Sequence, residues 1–239
     1  REEVPDEVVK LYPDIFETFV AAAPHVYIRF GMWDEITNLE QPEDKKLYVT
    51  TNALFYYAKA VAYANLGKHK EAKNCAEQFA TAYALVPESR HLFNNKSRDV
   101  LEIANEMMLG EVAFKSGSKT KGLNHLRRAV ELDDNLNYEE PWSWPQPTRH
   151  ALGALLLEVG EYEEAEAVYK ADLGIDGKLP RPSQHPKNVW ALHGLHECLK
   201  RRNDKIELPH VAFLLQQAEA RSDIKINASC LCRSKSSYA

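Results

Sequence analysis

Three scattered side chains have the right chemistry for a metal site. His25, Glu111 and His150 provide two imidazoles and a carboxylate, which can hold a divalent transition metal and leave positions open for water or substrate. Cys230 and Cys232 form a Cys-x-Cys pair that would suit a soft metal if the segment around it folded back. Each histidine is also of the kind that makes ordinary hydrogen bonds in a groove or a core, and the two thiols can be incidental. Whether these side chains lie close together depends on the secondary structure elements that contain them.

A stretch rich in proline and tryptophan, EEPWSWPQPTRHALG (139–153), interrupts an otherwise helical pattern. A second stretch, GIDGKLPRPSQHPKN (174–188), has a similar content of proline. Both are expected to be extended, because proline fixes one backbone dihedral and disfavours helix in the residue before it. Trp142 and Trp144 allow two interpretations: they form the lip of a binding groove, or they fold inward and cap the ends of neighbouring repeats.

A spacing of small residues recurs along the chain. In ALGALLLEVGEYEEAEAVYKADL, Gly153 is followed seven residues later by Gly160 and then by Ala165, which is the spacing of two helices joined by a tight turn. The other copies have anchor residues at Pro24, Ala60, Gly110 and Gly194. The pattern predicts an all-α chain of about five helix-turn-helix repeats.

This periodicity resembles the tetratricopeptide repeat (TPR), whose W-x2-L-G pattern is matched at Trp190-Ala191-Leu192-His193-Gly194 with His in place of Leu. The resemblance covers roughly residues 14–220. It implies a single right-handed superhelical solenoid over residues 1–239, with a C-terminal tail at 222–239. Several repeats are longer than the ideal 34 residues, so the two proline-rich stretches are expected to be insertions on one rim of the solenoid.

The aromatic-proline stretch and the Cys-x-Cys tail are also similar to those of a group of largely uncharacterised TPR proteins. That resemblance implies no established activity. Where the group begins the helix of its second repeat with His, this chain has Tyr56, which puts a shared metal site in doubt.

In TPR arrays the first helix of each repeat lines an inner groove, at positions three before and one after the anchor residue. The resemblance therefore places a small polar set at the inner wall: His25, Tyr57, Glu111 and His150. These positions are poor in Lys and Arg, which a clamp for a peptide carboxylate would need.

Two functions follow from this groove. In the first, the chain is a scaffold that binds a segment of a protein partner or a small ligand, with apolar contacts from Tyr57, Trp142, Trp144 and Trp190 and with orientation from His25, Glu111 and His150. In the alternative, it is a metal-dependent protein or enzyme that acts on a small molecule. There His25, Glu111 and His150 hold a divalent transition metal, and Cys230 and Cys232 act as lid or ligands.

Charge and hydropathy exclude two classes of partner. The 239 residues carry a net charge of −5, and no cluster of Lys and Arg alternates with aromatic residues, so we expect no binding to nucleic acid. The sequence contains no apolar run of the roughly 18 residues that a membrane span requires. The composition is that of a soluble globular chain, and a cytoplasmic location is favoured while the compartment stays open. The degenerate first and last repeats lack clear polar caps, so one of them could pair with a second copy in a homo-oligomer.

Overall fold

The computed structural model describes residues 5–233, and most of them are helical. The α-helices are α1 (Asp6–Leu11), α2 (Pro13–Phe16), α3 (Ala22–Arg29), α4 (Trp33–Asn38), α5 (Val49–Asn65), α6 (His69–Ala84), α7 (Ser97–Lys115), α8 (Lys119–Asp134), α9 (Thr148–Val159), α10 (Tyr162–Asp172), α11 (Val189–Arg201) and α12 (Leu208–Glu219). Two short 3-10 helices occupy Glu17–Ala21 and Arg181–Ser183. The two-residue strands β1 (His91–Leu92) and β2 (Asn95–Lys96) pair antiparallel. The all-α prediction is confirmed.

Five helix pairs follow one another from α3/α4 to α11/α12, and every predicted anchor lies in the first helix of its pair. Gly160 ends α9 in the left-handed conformation (φ 88°), as its place after an apolar helix predicts. The described chain therefore has the architecture of a TPR-like repeat solenoid.

The chain divides into two compact units, residues 1–146 (unit 1) and 147–239 (unit 2). Unit 1 contains the first three helix pairs and the β1/β2 hairpin, and unit 2 contains the last two pairs. The prediction of one continuous domain over residues 1–239 stays a prediction. The end of the predicted tail, residues 234–239, lies outside the described residues.

A buried carboxylate fixes the start of the long helix α5 in unit 1. Both oxygens of Glu17 accept hydrogen bonds from the first turn of α5, from the backbone N–H groups of Thr50 (2.7 Å) and Thr51 (3.0 Å) and from the Thr51 hydroxyl (2.8 Å). The first N–H groups of a helix have no partner within the helix, and the helix dipole favours negative charge beside them. Glu17 thus sets the position of α5, which carries the candidate residue Tyr57.

A tyrosine explains two of the anchor glycines in unit 2. Tyr169, on α10, is fully buried between α9 and α11. A Cβ atom added at Gly153 would lie 2.4 Å from its ring, and one added at Gly194 would lie 2.2 Å from it. The ring of Tyr169 therefore packs between α9 and α11, and only glycine leaves room for it at positions 153 and 194.

The clash at Gly194 gives a measurable prediction. On an exposed helix, Gly→Ala should stabilise by about 1 kcal/mol; here Gly194→Ala should instead lower the free energy of unfolding by about 1–3 kcal/mol, because the ring of Tyr169 must move. Urea unfolding followed by helical circular dichroism measures the difference. The double variant with Tyr169→Leu should recover part of the loss, and a neutral or stabilising Gly194→Ala would contradict the packing described here.

Candidate functional site

Three aromatic side chains pack together in unit 1, and all three were predicted as site residues. His25 comes from α3, Tyr57 from α5 and Trp144 from the proline-rich stretch. The ring centroids of His25 and Trp144 are 5.0 Å apart, those of Tyr57 and Trp144 are 5.6 Å apart, and those of His25 and Tyr57 are 6.0 Å apart. All three side chains are buried, so this cluster (the His25 cluster) is a packed core rather than an open wall.

The two tryptophans of the proline-rich stretch point to different environments. Trp144 is 3% exposed within the His25 cluster, whereas Trp142 is 43% exposed. Gln146, two residues after Trp144, donates a hydrogen bond from Nε2 to the backbone carbonyl of His25. Trp144 therefore packs inward, whereas Trp142 is exposed, and a role of Trp142 as the lip of a binding groove stays a prediction.

A buried polar network holds this stretch against the β1/β2 hairpin. The Glu139 carboxylate accepts hydrogen bonds from the backbone N–H of Asn94 (2.7 Å) and from Nδ2 of Asn95 (3.0 Å). Nδ2 of Asn95 also lies 3.2 Å from the Ser143 hydroxyl, and its Oδ1 accepts from the backbone N–H of Asn137 (2.8 Å). Because most of these groups are buried and paired, they fix the path of the chain that delivers Trp144.

Glu111 and His25 are two of the buried titratable groups among the predicted residues of unit 1. Burial raises the pKa of Glu111 to about 7, against the opposing effects of the hydrogen bond from Nδ2 of Asn65 (3.1 Å) and of the Lys115 charge. Burial lowers the pKa of His25 to about 4, and its Nδ1 has no hydrogen-bond partner. Both groups are therefore largely uncharged inside the fold near pH 6.

His150 has a different setting in unit 2. Its Nε2 lies 3.0 Å from Oδ2 of Asp172, and Nδ1 of His185 lies 2.9 Å from Oδ1 of the same carboxylate. Burial acts to raise the pKa of Asp172, but the two imidazoles outweigh it and hold that pKa well below its usual range. Trp190, also predicted as a binding residue, is buried on α11. In unit 2 the predicted residues thus belong to a buried polar centre and the packing around it.

The predicted metal site receives no support from the arrangement of ligands. Among residues 5–233, no group of three or more His, Cys, Asp or Glu side chains is placed to hold a metal ion. His25 and Glu111 belong to unit 1 and His150 to unit 2, and Cys230 and Cys232 are joined to each other as a disulfide. The site remains a prediction.

An open groove runs along α5 and α6 in unit 1. It consists of two adjoining cavities, of about 240 and 470 Å³, that share Tyr56 and Gln78. From α5 it is lined by residues three or four positions apart: Val49, Asn52, Tyr56, Lys59 and Tyr63. From α6 the lining residues are Glu71, Asn74, Cys75, Gln78, Thr81, Ala82 and Leu85. The remaining lining residues precede α5 and are Leu39, Glu40, Gln41 and Lys45. We call this surface the α5/α6 groove.

The groove is open because the element before it is short. Helix α4 has 6 residues, whereas α6 and α8, the second helices of the next two pairs, have 16 each. Residues 39–44 continue without helix, and Pro42 disfavours helix in the residue before it. The first repeat therefore lacks the long second helix that would cover α5 and α6.

Two polar atoms of the groove are left without partners. Asn52 is 5% exposed and its Oδ1 accepts no hydrogen bond, while Nδ2 makes one long contact of 3.5 Å with the carbonyl of Lys45. Nε2 of Gln41 is also buried and without a partner. A buried polar atom without a hydrogen bond costs about 1–3 kcal/mol, so a native site that keeps two of them calls for an explanation.

Comparison with known families places the repeat pattern on these two helices. The tetratricopeptide repeat model matches residues 53–83, which covers most of α5 and α6. Comparison with curated protein sequences finds no significant match.

Two solved structures are similar over most of the chain. Both are nearly identical TPR-like repeats from a Podosopora anserina protein assigned as a kinesin light chain. The first is 18% identical, covers 90% of this chain and 99% of its own, and has a TM-score of 0.50. The second, a single-substitution variant, is 19% identical, covers 87% and 95%, and has a TM-score of 0.48.

The fold and the repeat match together define a TPR-like repeat protein. None of the helices in the described part of the chain is long and apolar enough to cross a membrane.

Sequence reasoning named the residues of the His25 cluster but missed the α5/α6 groove. The sequence analysis placed Tyr57 of α5 on the inner wall of a TPR groove. It noted Tyr56 only because a similar group of TPR proteins has His at that position. One available signal was Pro42, which ends the first repeat early. The unpaired state of Asn52 and Gln41 depends on their neighbours and has no signature in the sequence.

Proposed function

We propose that this protein is an interaction scaffold that binds a short extended segment of a protein partner in the α5/α6 groove. The TPR-like fold is consistent with a scaffold for protein interactions. We choose this surface because two buried atoms of the open groove, Oδ1 of Asn52 and Nε2 of Gln41, have no hydrogen-bond partner.

The dimensions of the groove suit a segment of a few residues. Val49 and Tyr63 are 14 positions apart on one helix, which at about 1.5 Å per residue gives a length of roughly 21 Å. An extended chain advances about 3.3 Å per residue, so roughly six residues lie along the groove. The aromatic faces of Tyr56 and Tyr63 provide contact area at a low cost in side-chain entropy.

The unpaired groups match the backbone of such a segment. An extended chain presents one N–H donor and one C=O acceptor per residue. Oδ1 of Asn52 can accept a hydrogen bond and Nε2 of Gln41 can donate one. Both atoms are buried, so we expect the two side chains to rotate toward the groove when a bound backbone pairs with them.

The charges of the groove indicate which side chains the segment carries. Of the described residues that line the smaller cavity, Lys45 alone is charged, and it lies beside apolar Val49, Ala82 and Leu85. The larger cavity is lined by charges of both signs, Lys59 with Glu40 and Glu71. We therefore expect an acidic side chain and an apolar one at the end of the segment that lies near Lys45.

A displayed library of random peptides, selected on the intact chain, tests the proposal, with the affinity of selected peptides then measured by fluorescence anisotropy. Asn52→Leu should weaken binding at least tenfold, because a donor on the peptide loses its acceptor. The same change should leave the unfolding free energy of the free protein equal or higher, since it removes an unsatisfied buried group.

Two further variants complete the test. Tyr56→Ala should weaken binding by a similar factor, because Tyr56 borders both cavities. Trp142→Ala, on an exposed residue outside the groove, is the control and should leave the affinity unchanged. Selected peptides that bind Asn52→Leu and Tyr56→Ala as tightly as the wild type would refute the proposed site.

A further inference from the structure

The segment that contains the Cys-x-Cys pair is docked on unit 2. Ile226, Ala228, Ser229, Cys232 and Arg233 are all buried. The hydroxyls of Ser229 and Tyr169 are hydrogen bonded, and Ser229 also lies 3.4 Å from the backbone carbonyl of His150. Residues 226–233, which we call the docked segment, are therefore held to unit 2 before the first cysteine.

A second attachment follows the second cysteine. The guanidinium of Arg233 donates two hydrogen bonds to the Glu197 carboxylate, from Nη1 (2.6 Å) and Nη2 (3.0 Å). A bidentate pair of this kind is strong and specific in direction. The cysteine pair thus lies between two attachments that do not depend on it.

The disulfide between Cys230 and Cys232 contributes little as a structural link. The two cysteines are separated by one residue. A disulfide stabilises a fold mainly by restricting the unfolded chain, and this effect grows with the length of the loop that it closes. A link across one residue restricts almost nothing, so its presence on a segment already held at both sides calls for a chemical role.

The two sulfur atoms differ in access and in surroundings. Cys230 is partly exposed, whereas Cys232 is fully buried. The backbone N–H of Cys232 points to Sγ of Cys230 at 3.2 Å. An incoming thiolate therefore reaches Cys230 rather than Cys232.

We propose that Cys230 and Cys232 form a thiol–disulfide exchange site that oxidises dithiols, either small dithiols or closely spaced cysteines of another protein. A substrate thiolate attacks Sγ of Cys230, the Cys230–Cys232 bond breaks, and its electron pair leaves on Cys232, which takes up a proton. The second substrate thiolate then attacks the substrate sulfur of the mixed disulfide and releases Cys230. Two electrons and two protons pass from the substrate to the pair, and the substrate leaves as a disulfide.

The other two cysteines provide an internal reference. Burial raises the pKa of the Cys198 thiol to about 12, and burial also raises the pKa of Cys75. Because the thiolate is the reactive form, both should react slowly in the folded protein. Any fast exchange in the intact chain therefore reports on Cys230 and Cys232.

The experiment incubates the intact chain, purified without reductant, with dithiothreitol, and locates the thiols by alkylation and mass spectrometry. We expect one dithiothreitol to be oxidised per chain and two new thiols at Cys230 and Cys232, with Cys75 and Cys198 alkylated at least tenfold more slowly. Helical circular dichroism should be unchanged, because Ser229 and Arg233 still hold the segment.

Two single variants test the order of attack with glutathione disulfide as the probe. Cys232→Ser leaves Cys230 as the accessible thiol and should form a mixed disulfide at least tenfold faster than Cys230→Ser, in which the remaining thiol is buried. Equal rates for the two variants would overturn the proposal. So would a pair that is reduced only in denaturant, a pair isolated as two free thiols that glutathione disulfide does not oxidise, or a loss of helix on reduction.

Discussion

Trp144→Ala should lower the free energy of unfolding by about 3–5 kcal/mol, the usual cost of removing a buried tryptophan. The side chain is 3% exposed and packs its ring against His25 and Tyr57. Alanine would leave a cavity between α3 and α5 that the anchored stretch around Glu139 cannot close by collapse. Urea unfolding followed by helical circular dichroism gives the difference.

Trp142→Ala is the matched control, because it removes the same side chain two positions away. Trp142 is 43% exposed, so its replacement should change the unfolding free energy by less than about 1 kcal/mol. Similar losses for the two variants, or a larger loss for Trp142→Ala, would contradict the inward position of Trp144. Trp144→Phe should cost less than Trp144→Ala, since it keeps an aromatic ring and removes an indole N–H that has no partner.

The second large effect concerns Glu111 and pH. Its folded pKa of about 7 lies above the unfolded value of 4.5, so between these pH values the folded state binds more protons than the unfolded state. The unfolding free energy then falls as pH rises, by up to about 1.4 kcal/mol per pH unit. Glu111→Gln removes this penalty, and its stability relative to the wild type should increase by about 3 kcal/mol from pH 4 to pH 8.

His25 produces the opposite slope. Its folded pKa of about 4 lies below the unfolded 6.5, so stability is lost as pH falls from 6.5 to 4. Between pH 4.5 and 6.5 the two groups largely cancel in the wild type. His25→Phe should therefore gain stability relative to the wild type toward pH 4. Stability differences that stay constant with pH for both variants would mean that these groups are not buried as described.

The repeats were predictable because the small residues that they require recur at a regular spacing in the sequence. Gly153 and Gly194 are glycines because the ring of Tyr169 lies against both, and Gly160 ends a helix in a left-handed conformation. The fifth copy looked degenerate for a physical reason. Asn203, with φ 56°, takes the left-handed turn position that glycine occupies in earlier repeats, since asparagine tolerates this conformation.

The orientation of the tryptophans was not predictable from local rules. Residues two apart in an extended segment point to the same face, which would place Trp142 and Trp144 together. Instead the chain bends at Ser143, and Glu139 is bound to Asn94 and Asn95, more than 40 residues earlier. Long-range polar contacts of this kind leave no periodic signal.

The packed structure gives the predicted site residues different surroundings. From residue type alone, His25, Glu111 and His150 were equally suitable as metal ligands. In the structure they differ in their hydrogen-bond partners. Glu111 has Asn65 beside it, His150 has Asp172, and the Nδ1 atom of His25 has no partner. Each of these partners belongs to another helix, so only the packed structure reveals it.

We propose the α5/α6 groove as the surface on which this scaffold binds its partner. Its most direct test is to map the amide chemical-shift changes that a selected peptide causes on the intact, isotope-labelled chain. We predict changes along α5 from Val49 to Tyr63 and along α6 from Glu71 to Leu85, with Gln41 also affected. Changes centred instead on Trp142 and on helices other than α5 and α6 would contradict the claim and assign binding to another face.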